Sequence, residues 1–210
     1  EAIKNVDVSG SVVYRYDNSD NSEKDDSRVD RNRYKIGLNL SSKVNDYVKF
    51  NSRFIVGDRD NGGFAKLDSK KDDTGDENAE VSLSNAYFGF TAIPNTVVNV
   101  GKQGLTTPYT VAVDINGNEQ TGTGILALST FGPITAGAGY FNNTNLNNSF
   151  ELNAQQKLGL ANQINTAATG ATGVLDGGSD MYVATVQGDL DFVKLEAWYA
   201  GLQETFNTYT

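Results

Sequence analysis

The chain has 210 residues, neither cysteine nor histidine, and a formal net charge of -9. Without cysteine there is no disulfide framework or thiol nucleophile, and without histidine Ser-His-Asp and Cys-His chemistry are excluded from these residues. The acidic balance disfavours a nucleic-acid partner, because a phosphate backbone needs a basic patch to displace its counterions.

No stretch reaches the roughly 18 apolar residues of a membrane-spanning helix. The opening Glu1-Ala2-Ile3-Lys4-Asn5 lacks the apolar core of a signal peptide, so an exported form is expected to be already processed. A mean hydropathy of -0.42 suits a soluble protein. It equally suits a β-barrel, in which only alternate residues meet lipid.

The informative signal has period two. In 6–17, Val6, Val8, Gly10, Val12, Tyr14 and Tyr16 alternate with Asp7, Ser9, Ser11, Val13, Arg15 and Asp17. In 33–41, Tyr34, Ile36, Leu38 and Leu40 oppose Arg33, Lys35, Asn39 and Ser41. In 47–56, Val48, Phe50, Phe54 and Val56 oppose Lys49, Asn51 and Arg53. Further strands are expected at 82–91, 96–102, 123–129, 134–141, 181–188 and 192–201, about nine in all. The least regular is 123–129, whose Ile125-Leu126-Ala127-Leu128 run has no polar face.

Connections alternate long and short. The long ones are 18–32, 57–80, 103–122 and 142–180; the short ones are 42–46, 92–95, 130–133 and 189–191. Long loops on one rim and tight turns on the other mark an outer-membrane barrel, whereas a Greek-key sandwich has no reason to alternate. The fold class expected is all-β, an antiparallel transmembrane β-barrel. A short helix is expected at 151–168. Tyr14, Tyr16, Tyr34, Tyr47, Tyr87, Phe90, Tyr140 and Tyr199 near strand ends suit interfacial aromatic girdles. Because such barrels close with an even strand number, and Phe206–Thr210 is not an alternating terminal strand, residues 1–210 are expected to be the N-terminal half of one barrel.

Glu1 to Gly10 followed by Tyr14-Arg15-Tyr16-Asp17 resembles the N-terminus of the Campylobacter-type major outer membrane porin. Ala86-Tyr87-Phe88, Val100-Gly101-Lys102-Gln103 and Thr121-Gly122-Thr123-Gly124 resemble the same family around its third loop. The resemblance implies a homotrimeric barrel of about eighteen strands in the Gram-negative outer membrane, in contact with lipid and lipopolysaccharide. It also implies passive, cation-preferring passage of small hydrophilic solutes, an inward-folded third loop and a calcium ion near the constriction.

In such a pore an inward loop presents carboxylates to bases on the opposite wall, and the resulting charge ring sets selectivity. The loop 103–122 offers Asp114 and Glu119. Alternation places Arg15, Arg33, Lys35 and Arg53 on the lumen face, since a mid-strand charge facing lipid costs about 2–4 kcal/mol; Lys102 is added as a fifth candidate. The plain alternatives are charges on any solvated sheet face, and ordinary turn carboxylates beside Asn116-Gly117-Asn118. For calcium, which takes about 6–8 oxygen ligands, Asp114 is the first candidate in this chain. A passive channel is the expected function. A surface adhesin or a small non-porin barrel is the alternative, and an enzyme is not expected.

Overall fold

The computed structural model describes residues 5–19, 29–58, 62–69, 80–114, 117–146, 177–204 and 206–210. They form eleven antiparallel strands: β1 (Val6–Ser19), β2 (Val29–Asn45), β3 (Val48–Gly57), β4 (Ala65–Ser69), β5 (Glu80–Phe90), β6 (Thr96–Gly104), β7 (Thr121–Phe131), β8 (Ile134–Thr144), β9 (Met181–Leu190), β10 (Val193–Leu202) and β11 (Phe206–Tyr209). The sheet order is β1-β2-β3-β5-β6-β7-β8-β9-β10-β11, and β4 pairs with β2 off this path. All nine expected strands are present, including the irregular β7.

Residues paired across antiparallel strands share a face, so the register assigns every side chain. One face carries Val12, Leu38, Phe88, Val100, Ile125, Tyr140, Val186 and Leu195, all exposed large apolar side chains. Phe50 and Phe88 meet across β3 and β5 with ring centroids 5.1 Å apart, and Tyr140 and Tyr182 across β8 and β9 at 5.3 Å. Aromatics gather at both ends of this face. Tyr14, Tyr16, Tyr182 and Tyr199 stand toward the long connections, while Tyr47, Phe90, Phe131 and Phe192 stand at the tight turns. From Ile134 to Tyr140 is six residues, about 20 Å along the strand at ~3.3 Å each. Tilted strands of that reach match the ~25 Å apolar band of an outer-membrane barrel.

The other face is polar on β1 to β5 and carries Ser9, Lys35, Asn39, Asn51 and Arg53. Tyr87, expected in a girdle, lies here instead, because it is opposite Asn51. On β7 to β10 this face becomes apolar near the long-loop end, where Phe141, Met181, Val183, Ala200 and Leu202 are buried together.

Tight turns follow from local chemistry. Asn45 accepts a hydrogen bond from the Tyr47 amide at 2.9 Å, an Asx turn, and Asn95 and Gly132 take positive φ of 56° and 58°. Two strands lie outside the nine. β4 runs beside the end of β2 where β2 outgrows β3, with Tyr34 opposite Ala65. β11 pairs with the end of β10. The helix expected at 151–168 lies outside the described residues.

The two faces should respond oppositely to charge. Leu38→Arg, mid-strand between Gly10 and Phe54 on the apolar face, should destabilise the folded protein by about 2–4 kcal/mol. Thr135→Lys, on the polar face opposite Gln187, should be nearly neutral. Urea unfolding of the lipid-reconstituted protein reads both; equal losses would show that the faces are misassigned.

Candidate functional site

The described residues of the connection between β6 and β7, 105–114 and 117–120, lie against the polar face of the sheet, attached at both ends. At its start Leu105 and Tyr109 are buried against the cluster of Phe141, Met181, Val183 and Leu202. Burying such side chains contributes about 1.5–3 kcal/mol each. At its end Glu119 reaches the strands on the other side, β2, β3 and β5.

Glu119 is the centre of the site. Its Oε1 accepts from Lys35 Nζ at 2.6 Å and Arg53 Nη2 at 3.1 Å. Its Oε2 accepts from Arg53 Nε at 3.1 Å and Ser84 Oγ at 3.0 Å. Arg53 therefore holds the carboxylate with two parallel bonds, the stronger and more directional kind of ion pair. Glu119 is 5% exposed and Lys35 6%. Burial alone would push the Glu119 carboxyl up; the hydrogen bonds and charges of Arg53 and Lys35 outweigh it and hold the group below the ordinary carboxylate range.

Surrounding residues fix this geometry. Arg53 Nη1 donates to Asn39 Oδ1 at 2.8 Å, and Lys35 also donates to the Gly117 carbonyl. Gly37 leaves space for the guanidinium, since a Cβ there would lie 2.7 Å from Arg53 Nη2. Ser84 reaches Glu119 because of a β-bulge: Arg53 pairs with Asn85 and Phe54 with Leu83, leaving Ser84 over. Gly117, at φ +83°, presses against Phe64, whose ring a Cβ would meet at 2.5 Å. The Arg15 guanidinium lies over the Phe64 ring, 4.3 Å from its centroid. Asn145 staples the loop's end, donating to the Glu119 carbonyl at 2.6 Å and accepting from the Thr121 amide at 2.8 Å. Gln120, fully buried, accepts from the Val111 amide.

The expected residues thus separate. Lys35, Arg53 and Glu119 come together in direct contact, not across an open gap as the sequence suggested. Arg15 and Arg33 are paired on the same face further toward the long loops, and Arg33 forms a loose ion pair with Asp17 at 3.8 Å. Lys102 does not face the site. It pairs with Ala86 and Thr123 and so shares the apolar face with Val98 and Val100, at the long-loop rim. Its ammonium donates to the Leu83 carbonyl at 2.9 Å. Asp114 braces the loop from within, accepting from the Asn118 amide and Asn118 Nδ2, both at 2.9 Å. No group of three or more acidic side chains gathers among the described residues. They do not fit a calcium site by themselves, and Asp114 is better explained as a turn brace. Sequence reasoning missed Ser84, Asn39, Phe64 and Asn145; a break in alternation at Ser84-Asn85 is the one signal that pointed to any of them.

The family model described as Campylobacter major outer membrane protein matches residues 1–210. No curated protein matches the chain. Among solved structures, Pseudomonas aeruginosa OccD3 (OpdP) aligns with a TM-score of 0.61 at 14% identity, over 99% of this chain and 43% of its own. OccK2 (OpdF) of the same organism aligns at 0.62 and 12%, over 99% and 49%. Acinetobacter baumannii OccAB1 aligns at 0.56 and 13%, over 93% and 45%. The chain spans less than half the length of each, and at these identities the likeness shows a shared β-barrel fold.

Glu119 should hold the loop in a pH-dependent way. A carboxyl whose folded value is depressed contributes stability that is complete above its unfolded value and fades as pH falls through the folded one. A spin label at Val113→Cys, unique because the chain has no cysteine, should be immobile at neutral pH and gain mobility only in acid, once the pH falls below the ordinary carboxylate range. Glu119→Gln should make the label mobile already at neutral pH and insensitive to acid. Glu119→Ala, which strands the buried Lys35, should cost about 3–5 kcal/mol.

Proposed function

The chain belongs to the Campylobacter major outer membrane protein family, placed in the Gram-negative outer membrane, and we propose that it forms the N-terminal half of a passive diffusion channel there. The polar face lines the lumen, and the connection 105–120 is the constriction loop. One observation carries this reading: the docking of Glu119 on Lys35 and Arg53 keeps the described residues of the loop on the polar side of a sheet whose other side is an apolar, aromatic-edged band. A loop so held reduces the cross-section open to solutes. Pore radius and the charges around it then decide what passes.

Passage is of ions and small hydrophilic solutes, with a preference for cations. The net charge of -9 supports that sign, since it concentrates counter-ions near the protein. Glu119 itself is neutralised by its two bases, so the preference rests on the remaining carboxylates. The reading extends to the homotrimer of about eighteen-stranded barrels that the family resemblance implies. Lys102, at the rim of the lipid-facing side, is placed to meet the phosphates of lipopolysaccharide.

Planar-bilayer recording of the purified full-length protein tests the channel. Stepwise conductance is expected, with a reversal potential in a KCl gradient displaced toward the potassium equilibrium potential. Absence of steps would overturn the channel, and a displacement toward chloride would overturn the cation preference alone. Glu119→Gln should increase current noise by loosening the loop.

A further inference from the structure

A second constellation on the polar face has no charged residue in it. Beneath the overhanging stretch 104–107, and across the polar face of β5 to β10, lies a recess of about 360 Å³. That is near the small end of the ~300–1,000 Å³ typical of ligand pockets. Its floor is apolar, formed by Leu126, Leu128, Phe141 and Val183. Amides border it, from Asn85, Asn99, Gln103 and Gln187, and aromatic rings from Tyr87 and Trp198. Among the described residues, no hydrogen bond from protein occupies the Tyr87 hydroxyl or the Asn99 amide. Asn85 and Tyr87 also border a neighbouring recess whose lining adds Ser9, Asn39, Ser41 and Asn51 together with the charged Asp7 and Arg53, so charge begins only beyond the first recess.

These features select a ligand by elimination. A charged solute would give up water with no counter-charge among the lining residues, an expensive exchange, and the Glu196 carboxylate beside the recess already accepts from Trp198 Nε1 at 3.0 Å. A purely apolar solute would leave the amides and hydroxyls without water or partner, which costs as well. A flat ring with one apolar face and a hydrogen-bonding edge satisfies both surfaces: its face covers the Leu126–Leu128–Phe141 floor, and its edge exchanges bonds with amides that both donate and accept. The volume suits one or two rings and not a polymer. We propose that this recess is a binding subsite for uncharged ring solutes, the chemistry shared by pyranose sugars and nucleosides, on a wall that the channel reading above makes accessible to permeating molecules.

Equilibrium dialysis of the detergent-purified full-length protein against radiolabelled methyl glucoside, uridine and sorbitol tests the proposal. Sorbitol has a sugar's hydroxyls without a flat ring. Saturable binding of a ring solute with none of sorbitol is expected, and whichever of glucoside or uridine binds identifies the source. Tyr87→Ala should weaken that binding about tenfold, the loss of one aromatic contact. No saturable binding of either ring solute, or equal binding of sorbitol, would overturn the subsite. Ion conductance of the same preparation separates the two readings: conductance without ring binding sinks the subsite alone, and ring binding without conductance sinks the channel alone.

Discussion

A backbone placed in lipid has no water to bond with, so each N–H and C=O must find a partner on a neighbouring strand. That demand explains the uninterrupted antiparallel ladder from β1 to β11. It also explains why the chain can be hydrophilic on average. Once pairing is obligatory, side chains have only two directions, and the lipid takes one of them. Lys102 is a charge on the lipid-facing set, and it sits at the rim where a long side chain can reach polar groups. The bulge at Ser84 departs from strict pairing, and it does so where the departure delivers a hydroxyl to Glu119.

Glu119 does not make the protein stable in any simple sense. Taking a carboxylate, an ammonium and a guanidinium out of water costs several kcal/mol per ion, and the attraction between them roughly returns that amount. What the arrangement secures is position. Only one place on the polar face offers Lys35, Arg53 and Ser84 together, so a loop placed elsewhere leaves a buried charge unmatched. The apolar anchor of Leu105 and Tyr109 supplies the less specific attraction. The loop is thus drawn in by burial at one end and registered by charge at the other.

Much of this was legible in the sequence because membrane strands tie side-chain chemistry to parity. Arg15, Arg33, Lys35 and Arg53 fall on odd positions of valine- and phenylalanine-rich runs, which fixes their face before any coordinates. Lys102 was misread although the same rule applied, for it shares even positions with Val98 and Val100. A lone charge ending an apolar run marks the membrane rim, not the lumen. Ser84 was hidden because a bulge changes parity within a strand. β4 depends on a pairing with β2 that no local pattern announces, and β11 has four residues, too few for alternation to stand out. The direct contact of Glu119 with its bases depends on how far a loop folds back, which is set by Asn145, Phe64 and Gly117 acting from three separate connections.

The polar face is electrically divided. Arg15, Arg33, Lys35 and Arg53 lie on β1 to β3, and the uncharged Asn85, Asn99, Gln103 and Gln187 separate them from Asp189, Lys194 and Glu196 on β9 and β10. The loop spans that boundary with its acidic end on the charged side and its apolar end on the neutral side. Exchanging the ends would bury Glu119 among Phe141, Met181 and Val183 with no base in reach, and would set Leu105 against guanidinium groups. The division of the wall therefore dictates the direction in which the loop is laid. It also leaves the neutral side with the recess under the loop's apolar end, away from the bases that Glu119 has already matched.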